Sequence, residues 1–225
     1  MTHVLLARMD NEGDVLLSGP AVRAAAAGAS RVTYLCGPRG RAAAALLPGV
    51  DEVLCHHCSW IDSHPEPVTP AAIDALVNDV ARRRVDEAVI LTSFHQSPLP
   101  LALLLRLAGV PRLAATSVDY PGSLLDVRHR ISDDVHEVER TLDLLAAAGY
   151  PLPPGDDGAL AVDRPAAGWD GVPADPYVVV HPGTSVSARG WAPERHEALV
   201  RALVERGQRV VVTGAPSETA LTALD

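Results

Sequence analysis

Short apolar runs and longer amphipathic stretches alternate through the first two thirds of the chain. Residues 4–7, 32–36, 52–54, 88–91 and 113–116 are brief runs bounded by Gly, Pro, Asp or Arg, the form taken by strands buried on both faces of a parallel sheet. Between them, residues 21–27, 41–47, 71–84 and 99–108 repeat their apolar positions at helical spacing. Strand then helix, repeated, is the order of a doubly wound α/β sheet. Thr69-Pro70 supplies an N-cap and a first-position proline for the third helix, and Gly109 closes the fourth. Pro20 complicates the first helix, which either starts near Gly19 or starts earlier and is kinked at the proline. The earlier, kinked start is expected.

From 117 to 130 the periodicity dissolves into loop residues. Residues 134–148 then read as a helix with Val135, Val138, Leu142 and Leu145 on one face and Gly149 at its end. Residues 151–176 are rich in Pro, Gly and Asp and read as a linker, with a short strand at 159–162. A second α/β unit follows: a strand at 177–180, a helix at 193–206 closed by Gly207, a strand at 209–213 and a helix from Ala220 onward. The expected organisation is a first domain over 1–150, the linker, and a second domain over 177–225. Two strands and one helix do not bury both faces of a parallel sheet, so that second domain is expected to be incomplete in this sequence.

Composition narrows the function classes. A hydrophobic fraction of 48% suffices for a packed core, and an aromatic fraction of 4% makes that core aliphatic. The formal net charge of -9 argues against a nucleic-acid-binding surface, which needs clustered basic residues. All 19 basic residues are Arg and none is Lys, a bias ascribed to a GC-rich genome rather than to chemistry. There is no apolar run of about 18 residues and no charged-then-apolar leader, so a cytoplasmic protein is expected, with any membrane contact peripheral. Cys55-His56-His57-Cys58 invites a zinc reading. Four adjacent residues do not easily wrap a tetrahedral ion, however, so a strand end running into a loop is expected there and no metal site.

The segment between the first strand and the first helix carries the candidate chemistry. It is acidic, with Asp10, Glu12 and Asp14, and has neither G-x-G-x-x-G nor G-x-x-x-x-G-K-[ST], the patterns that lay backbone N–H groups around phosphate. A ligand there is not expected to be held by its phosphates. His95 and Gln96, after the fourth strand, fall on the same crevice edge and are candidates for contact with a substrate, or simply line a loop. His181 is expected to be a hydrogen-bonded strand-end histidine. G-x-S-x-G is absent, which leaves a hydrolase reading without an anchor.

Several segments, in order, resemble the heptosyltransferases of glycosyltransferase family 9. They are Asp10-x-x-Gly13-Asp14-x-Leu16-Leu17-x-x-Pro20-Ala21, Cys36-Gly37-Pro38-Arg39-Gly40, residues 47–53 (LPGVDEV), residues 136–140 (HEVER), residues 178–185 (VVVHPGTS), Arg189-x-Trp191-x-Pro193 and Thr213-Gly214-x-Pro216-x-Glu218. The resemblance implies a GT-B fold, α/β with two Rossmann-like parallel-sheet domains, the first holding the acceptor and the second the nucleotide-sugar donor. It implies inverting transfer of a sugar, typically heptose from ADP-heptose, to a glycan or glycolipid hydroxyl, with no cofactor and no required metal.

By the same resemblance Asp14 takes the general-base position, with Asp10 as the second candidate and a plain helix N-cap as the structural alternative for Asp14. Asp10, Gly13, His95 and Gln96 fall to the acceptor. Gly183, Thr184 and Ser185 are placed to donate to phosphate oxygens, and Arg189 to neutralise charge on the departing diphosphate unless it is an ordinary loop arginine. Glu218 corresponds to the residue that accepts from the nucleotide ribose, or is a solvated first-turn carboxylate. Family members continue for roughly a hundred residues more by domain size and carry a later Asp-(Ser/Thr)-Gly-x-x-His motif that this sequence does not reach. A non-catalytic module that holds a nucleotide or glycan is therefore the alternative function, and a sugar-nucleotide epimerase of shared fold a third.

Overall fold

The computed structural model describes residues 2–62, 65–132, 134–163, 171, 173–184 and 187–222. The chain divides into two compact units, Met1–Arg164 and Pro165–Asp225.

The first unit is built on β1 (His3–Arg8), whose Val4, Leu5, Leu6 and Ala7 are fully buried. β2 (Arg31–Cys36), β3 (Glu52–Cys55), β4 (Glu87–Leu91), β5 (Arg112–Thr116) and β6 (Val127–His129) join it in one parallel sheet of order β3-β2-β1-β4-β5-β6. Successive side chains of a strand face opposite ways, so β1 feeds two cores. Val4 and Leu6 pack with Tyr34, Val22, Ala25 and Leu145 under α2 (Gly19–Gly28) and α6 (Glu137–Ala148). Leu5 and Ala7 pack with Leu76, Val80, Leu101 and Leu105 under α4 (Pro70–Arg83) and α5 (Leu99–Leu107). The chain turns back across β1 to form β4, and in an open α/β sheet the loops leaving the strand ends at that reversal flank the ligand crevice.

An early helix is present, as expected, but in place of a kink at Pro20 the chain makes two helices separated at Ser18. α1 (Glu12–Leu17) ends at Ser18, and α2 resumes at Gly19 with Pro20 in its first turn. Ser18 Oγ donates to the Val15 carbonyl at 2.6 Å and lies 2.6 Å from the buried Tyr34 hydroxyl, so both hydroxyls are paired within the core at the break. Thr69 caps α4, accepting from Ala72 N–H at 3.2 Å.

Four expectations are corrected. Residues 127–129 are not loop but the edge strand β6; three residues paired on one side only carry too little apolar pattern to register in a sequence. The helix at 41–47 shrinks to α3 (Arg41–Ala44), preceded by a 3₁₀ turn at Pro38–Gly40 and stopped ahead of Pro48-Gly49. α6 begins at Glu137, not at 134, because His136 takes the N-cap and its ring Nδ1 accepts from Val138 N–H at 3.3 Å. Residues 159–162 form no strand.

The stretch from 151 to 163 is held on the first unit. The Arg23 guanidinium donates to both Asp156 oxygens at 2.6 and 2.7 Å and to the Ala159 carbonyl at 2.9 Å, while Asp163 N–H donates to Leu46 at 2.8 Å. At the other edge, Cys55 ends β3, Cys58 is buried in the second core, and His56 Nε2 lies 2.8 Å from Asp79. No group of three potential metal ligands occurs among the described residues, nor any helix long and apolar enough to cross a membrane.

The second unit contains the parallel pair β7 (Tyr177–Val180) and β8 (Arg209–Val212) with α7 (Pro193–Glu205) and the short α8 (Thr219–Thr222). Val179 and Val204 remain more than half exposed, the expected state of a two-stranded sheet that covers one face.

Candidate active site

Three carboxylates and a serine hydroxyl of the first unit gather around one arginine. Arg8, the last residue of β1, is fully buried although it follows the apolar run Val4–Ala7. Its Nε contacts Asp10 at 2.6 Å, an ion-pair contact rather than an aligned hydrogen bond. Nη1 donates to Glu137 at 2.6 Å, and Nη2 donates to Ser93 Oγ at 3.0 Å and more distantly to Asp14 at 3.3 Å. Four pieces of chain therefore meet at the guanidinium: the loop after β1, the first turn of α1, the loop after β4, and the first turn of α6. Burial pulls the Arg8 proton affinity down, and the contacts with Asp10, Glu137 and Asp14 outweigh it, so the guanidinium is held charged more firmly than a free arginine.

The two loop aspartates differ. Asp10 is 6% exposed and engaged on all sides, by Arg8, by the Gln96 amide and by the Ser93 hydroxyl at 3.4 Å. Asp14 is 31% exposed at its side chain, and both its contacts are long: Arg8 at 3.3 Å and the Asn11 N–H, through the other oxygen, at 3.3 Å. The N-cap alternative for Asp14 resolves in a particular way, since Asn11 occupies the cap and Asp14 reaches back to its N–H. Gly13, exposed beside it, has no heavy atom within 4 Å of where a Cβ would project.

Gln96 thus joins the cluster and His95 does not. The His95 ring is exposed, edge-on to Phe94 with centroids 4.8 Å apart. Arg8, Ser93 and Glu137 escaped the sequence reading; the available signal was an arginine directly after the apolar run Val4–Ala7, because a buried cation requires counter-ions. Beyond the β5 and β6 strand ends lies a further cavity of about 210 Å³, lined by Thr116, Ser117, Arg130 and Arg140 among others.

In the second unit the structure brings Gly183 and Glu218 together. A Cβ on Gly183 would fall inside van der Waals contact with the Glu218 carboxylate, and that carboxylate accepts from Ala215 N–H at 2.7 Å. Thr184 and Arg189 line a cleft of about 550 Å³ with His181, Trp191 and His196. Arg189 lies exposed in a 3₁₀ turn at Ser187–Arg189, and His181 Nδ1 lies 3.1 Å from Thr213 Oγ1. Ser185 lies outside the described residues.

Residues 94–225 match the model of glycosyltransferase family 9 (heptosyltransferase). The chain belongs to glycosyltransferase family 9. Solved structures agree at the level of fold. Escherichia coli heptosyltransferase WaaC with ADP superposes with a TM-score of 0.68 at 20% identity, covering 98% of this chain and 69% of that one. The E. coli ADP-heptose LPS heptosyltransferase II gives 0.70 at 17% identity, over 98% and 66%. A family 9 glycosyl transferase from Veillonella parvula gives 0.72 at 15%, over 98% and 64%. Among curated proteins none matches. The family 9 chain is thus a glycosyltransferase by membership, built on the parallel α/β architecture of the heptosyltransferases, and it spans about two thirds of their length. The match over 94–225 includes the Gly183 and Glu218 segments, and the likeness in fold extends over the Arg8 cluster.

Proposed function

We propose that this glycosyltransferase moves a sugar, heptose in the typical family case, from a nucleoside diphosphate to a hydroxyl of a glycan or glycolipid, with inversion at the anomeric carbon. The observation that carries the reading is the contrast between the two loop aspartates: Asp10 is enclosed by three partners, whereas Asp14 is part-exposed and loosely held at the β1 end of the sheet. A base has to reach solvent-borne substrate and release its own contacts when it takes a proton. Asp14 satisfies both conditions.

In the proposed reaction the acceptor O–H bond breaks and its proton passes to Asp14. The oxygen forms a bond to the anomeric carbon, and the bond to the diphosphate breaks with its electron pair leaving on the phosphate oxygen. Arg189 offsets that growing charge. Gly183 gives the close backbone approach that a bulky residue would block, and Glu218, held by Ala215 N–H, is an acceptor for a ribose hydroxyl. An adenine nucleotide is favoured as donor by the likeness to WaaC, whose solved structures contain ADP and ADP-2-deoxy-2-fluoro heptose. Arg130, exposed at the cavity beyond β5 and β6, suits an acceptor that bears phosphate or carboxylate. Reaction at the cytoplasmic face of a membrane fits a glycolipid acceptor and requires only peripheral contact.

Transfer from ADP-heptose to lipid-linked glycan acceptors, followed by mass spectrometry of the product, tests this. Asp14→Asn is expected to lose roughly two to four orders of magnitude in turnover while ADP affinity by calorimetry stays unchanged. Full turnover by Asp14→Asn would exclude it as the base. ADP binding without transfer to any acceptor would favour a non-catalytic module instead.

A further inference from the structure

Three carboxylates share one buried guanidinium. Counted by formal charge, Asp10, Asp14 and Glu137 with Arg8 sum to −2, and the three are not held equally. Asp10 and Glu137 each approach Arg8 to 2.6 Å and Asp14 only to 3.3 Å. We infer that Arg8 and Glu137 are positioning residues for Asp14: Glu137 and Asp10 occupy the guanidinium so that Asp14 accepts a proton without leaving Arg8 an unpaired buried cation.

A fully buried arginine with a single counter-ion would oppose protonation of that ion, because the product would be an uncompensated charge out of water. Such a carboxylate would be a poor base. Here protonation of Asp14 leaves Arg8 with two closer carboxylates and the Ser93 hydroxyl at 3.0 Å. It also relieves like-charge repulsion among the three anions. Of the three, the carboxylate that gives way is the one with the longest contact and the greatest exposure, 31% against 6% for Asp10 and 25% for Glu137.

The other groups facing the cluster do not compete for the proton. Ser93 and Gln96, from the loop after β4, are neutral. Tyr34 on β2 is fully buried with its hydroxyl on Ser18, and burial pushes its phenol up out of range. Cys58, near Asp10, is pushed up to about 12 by burial. The inference rests on the reading of Asp14 as the base, but its test does not need catalysis.

The carboxyl carbon of Asp14, labelled with ¹³C in the full chain and followed by NMR against pH, reports its titration directly. Glu137→Gln removes one anion and frees Arg8 to lean on Asp14, so the midpoint is expected to fall by about one pH unit. Arg8→Met removes the cation and is expected to raise it by about one pH unit. Opposite displacements are not produced by a general loss of packing. Should Arg8→Met fail to fold, Asp10→Asn supplies the second arm and is expected to lower the midpoint as Glu137→Gln does. A midpoint that stays at the wild-type value in Glu137→Gln, or moves upward, overturns the inference. In transfer assays the acid limb of kcat/KM is expected to move with the NMR midpoint. A displaced midpoint with an unmoved acid limb would refute Asp14 as base while leaving the charge sharing intact, and so separates the two claims.

Discussion

The position of Asp14 depends on a glycine in a different turn. Gly40 closes the 3₁₀ turn after β2, and a Cβ there would lie 2.7 Å from Val15 Cγ2, 3.4 Å from Cys36 Cβ and 3.7 Å from the Asp10 carbonyl. Carbon atoms rest about 3.5–4.0 Å apart, so in Gly40→Ala the Val15 side chain has to retreat by about 1 Å. It is fully buried, and a close-packed core leaves little room for one side chain to move alone. α1 is only six residues long, and Asp14 immediately precedes Val15, so the helix is expected to move as a body and take the carboxylate with it. Overpacking of this kind costs about 1–3 kcal/mol, which for a chain of this size lowers the melting temperature by about 2–4 °C per kcal/mol. A displacement near 1 Å at a reacting group costs up to about a hundredfold in rate. Thermal unfolding followed by a transfer assay at a temperature where the variant is folded separates the two effects. Gly13→Ala is the control on the same helix: it meets no atom within 4 Å and is expected to stabilise by about 0.5–1 kcal/mol. Wild-type stability and wild-type transfer in Gly40→Ala would refute the reasoning, as would a destabilised Gly13→Ala.

Tyr34→Phe withdraws the hydroxyl that meets Ser18 at the α1–α2 break; a loss of about 1 kcal/mol is expected in urea unfolding, with little change if Ser18 needs only Val15. Asp156, paired with Arg23, titrates at about 2 in the folded chain, below its ordinary value, chiefly because of the Arg23 hydrogen bonds. Its contribution is therefore present above about pH 4 and lost as pH falls toward 2. Asp156→Asn should flatten the urea midpoint across that window, and an unchanged slope would show that the Arg23 contact does not hold this stretch. Gly183→Ala drives a methyl group into the Glu218 carboxylate; if that displaces one charge-assisted hydrogen bond worth about 1.5–3 kcal/mol, ADP affinity by calorimetry falls about 10- to 100-fold, whereas unaltered affinity would remove Glu218 from the donor site.

What the sequence determined by itself is the order of the strands and helices of both units, the edge strand β6 apart. Strands 4–7, 88–91 and 113–116 must be hidden on both faces, and a chain that alternates such runs with amphipathic helices has few topologies open to it. Local punctuation was equally legible: Thr69 as a cap and Pro20 as a break act through neighbouring backbone and need no distant partner. The opposite holds for what the tertiary structure decided. β6 exists because β5 offers it an edge, and residues 151–163 are held because Arg23 waits on α2 for Asp156. The candidate site shows the same division. Asp14 stood out in the sequence, but whether it or Asp10 was free to react depended on Arg8, and Arg8 draws its second close counter-ion from Glu137, 129 residues away. A charge at the end of an apolar strand announces that partners are required, whereas their identity is set by which chain ends the sheet order brings together.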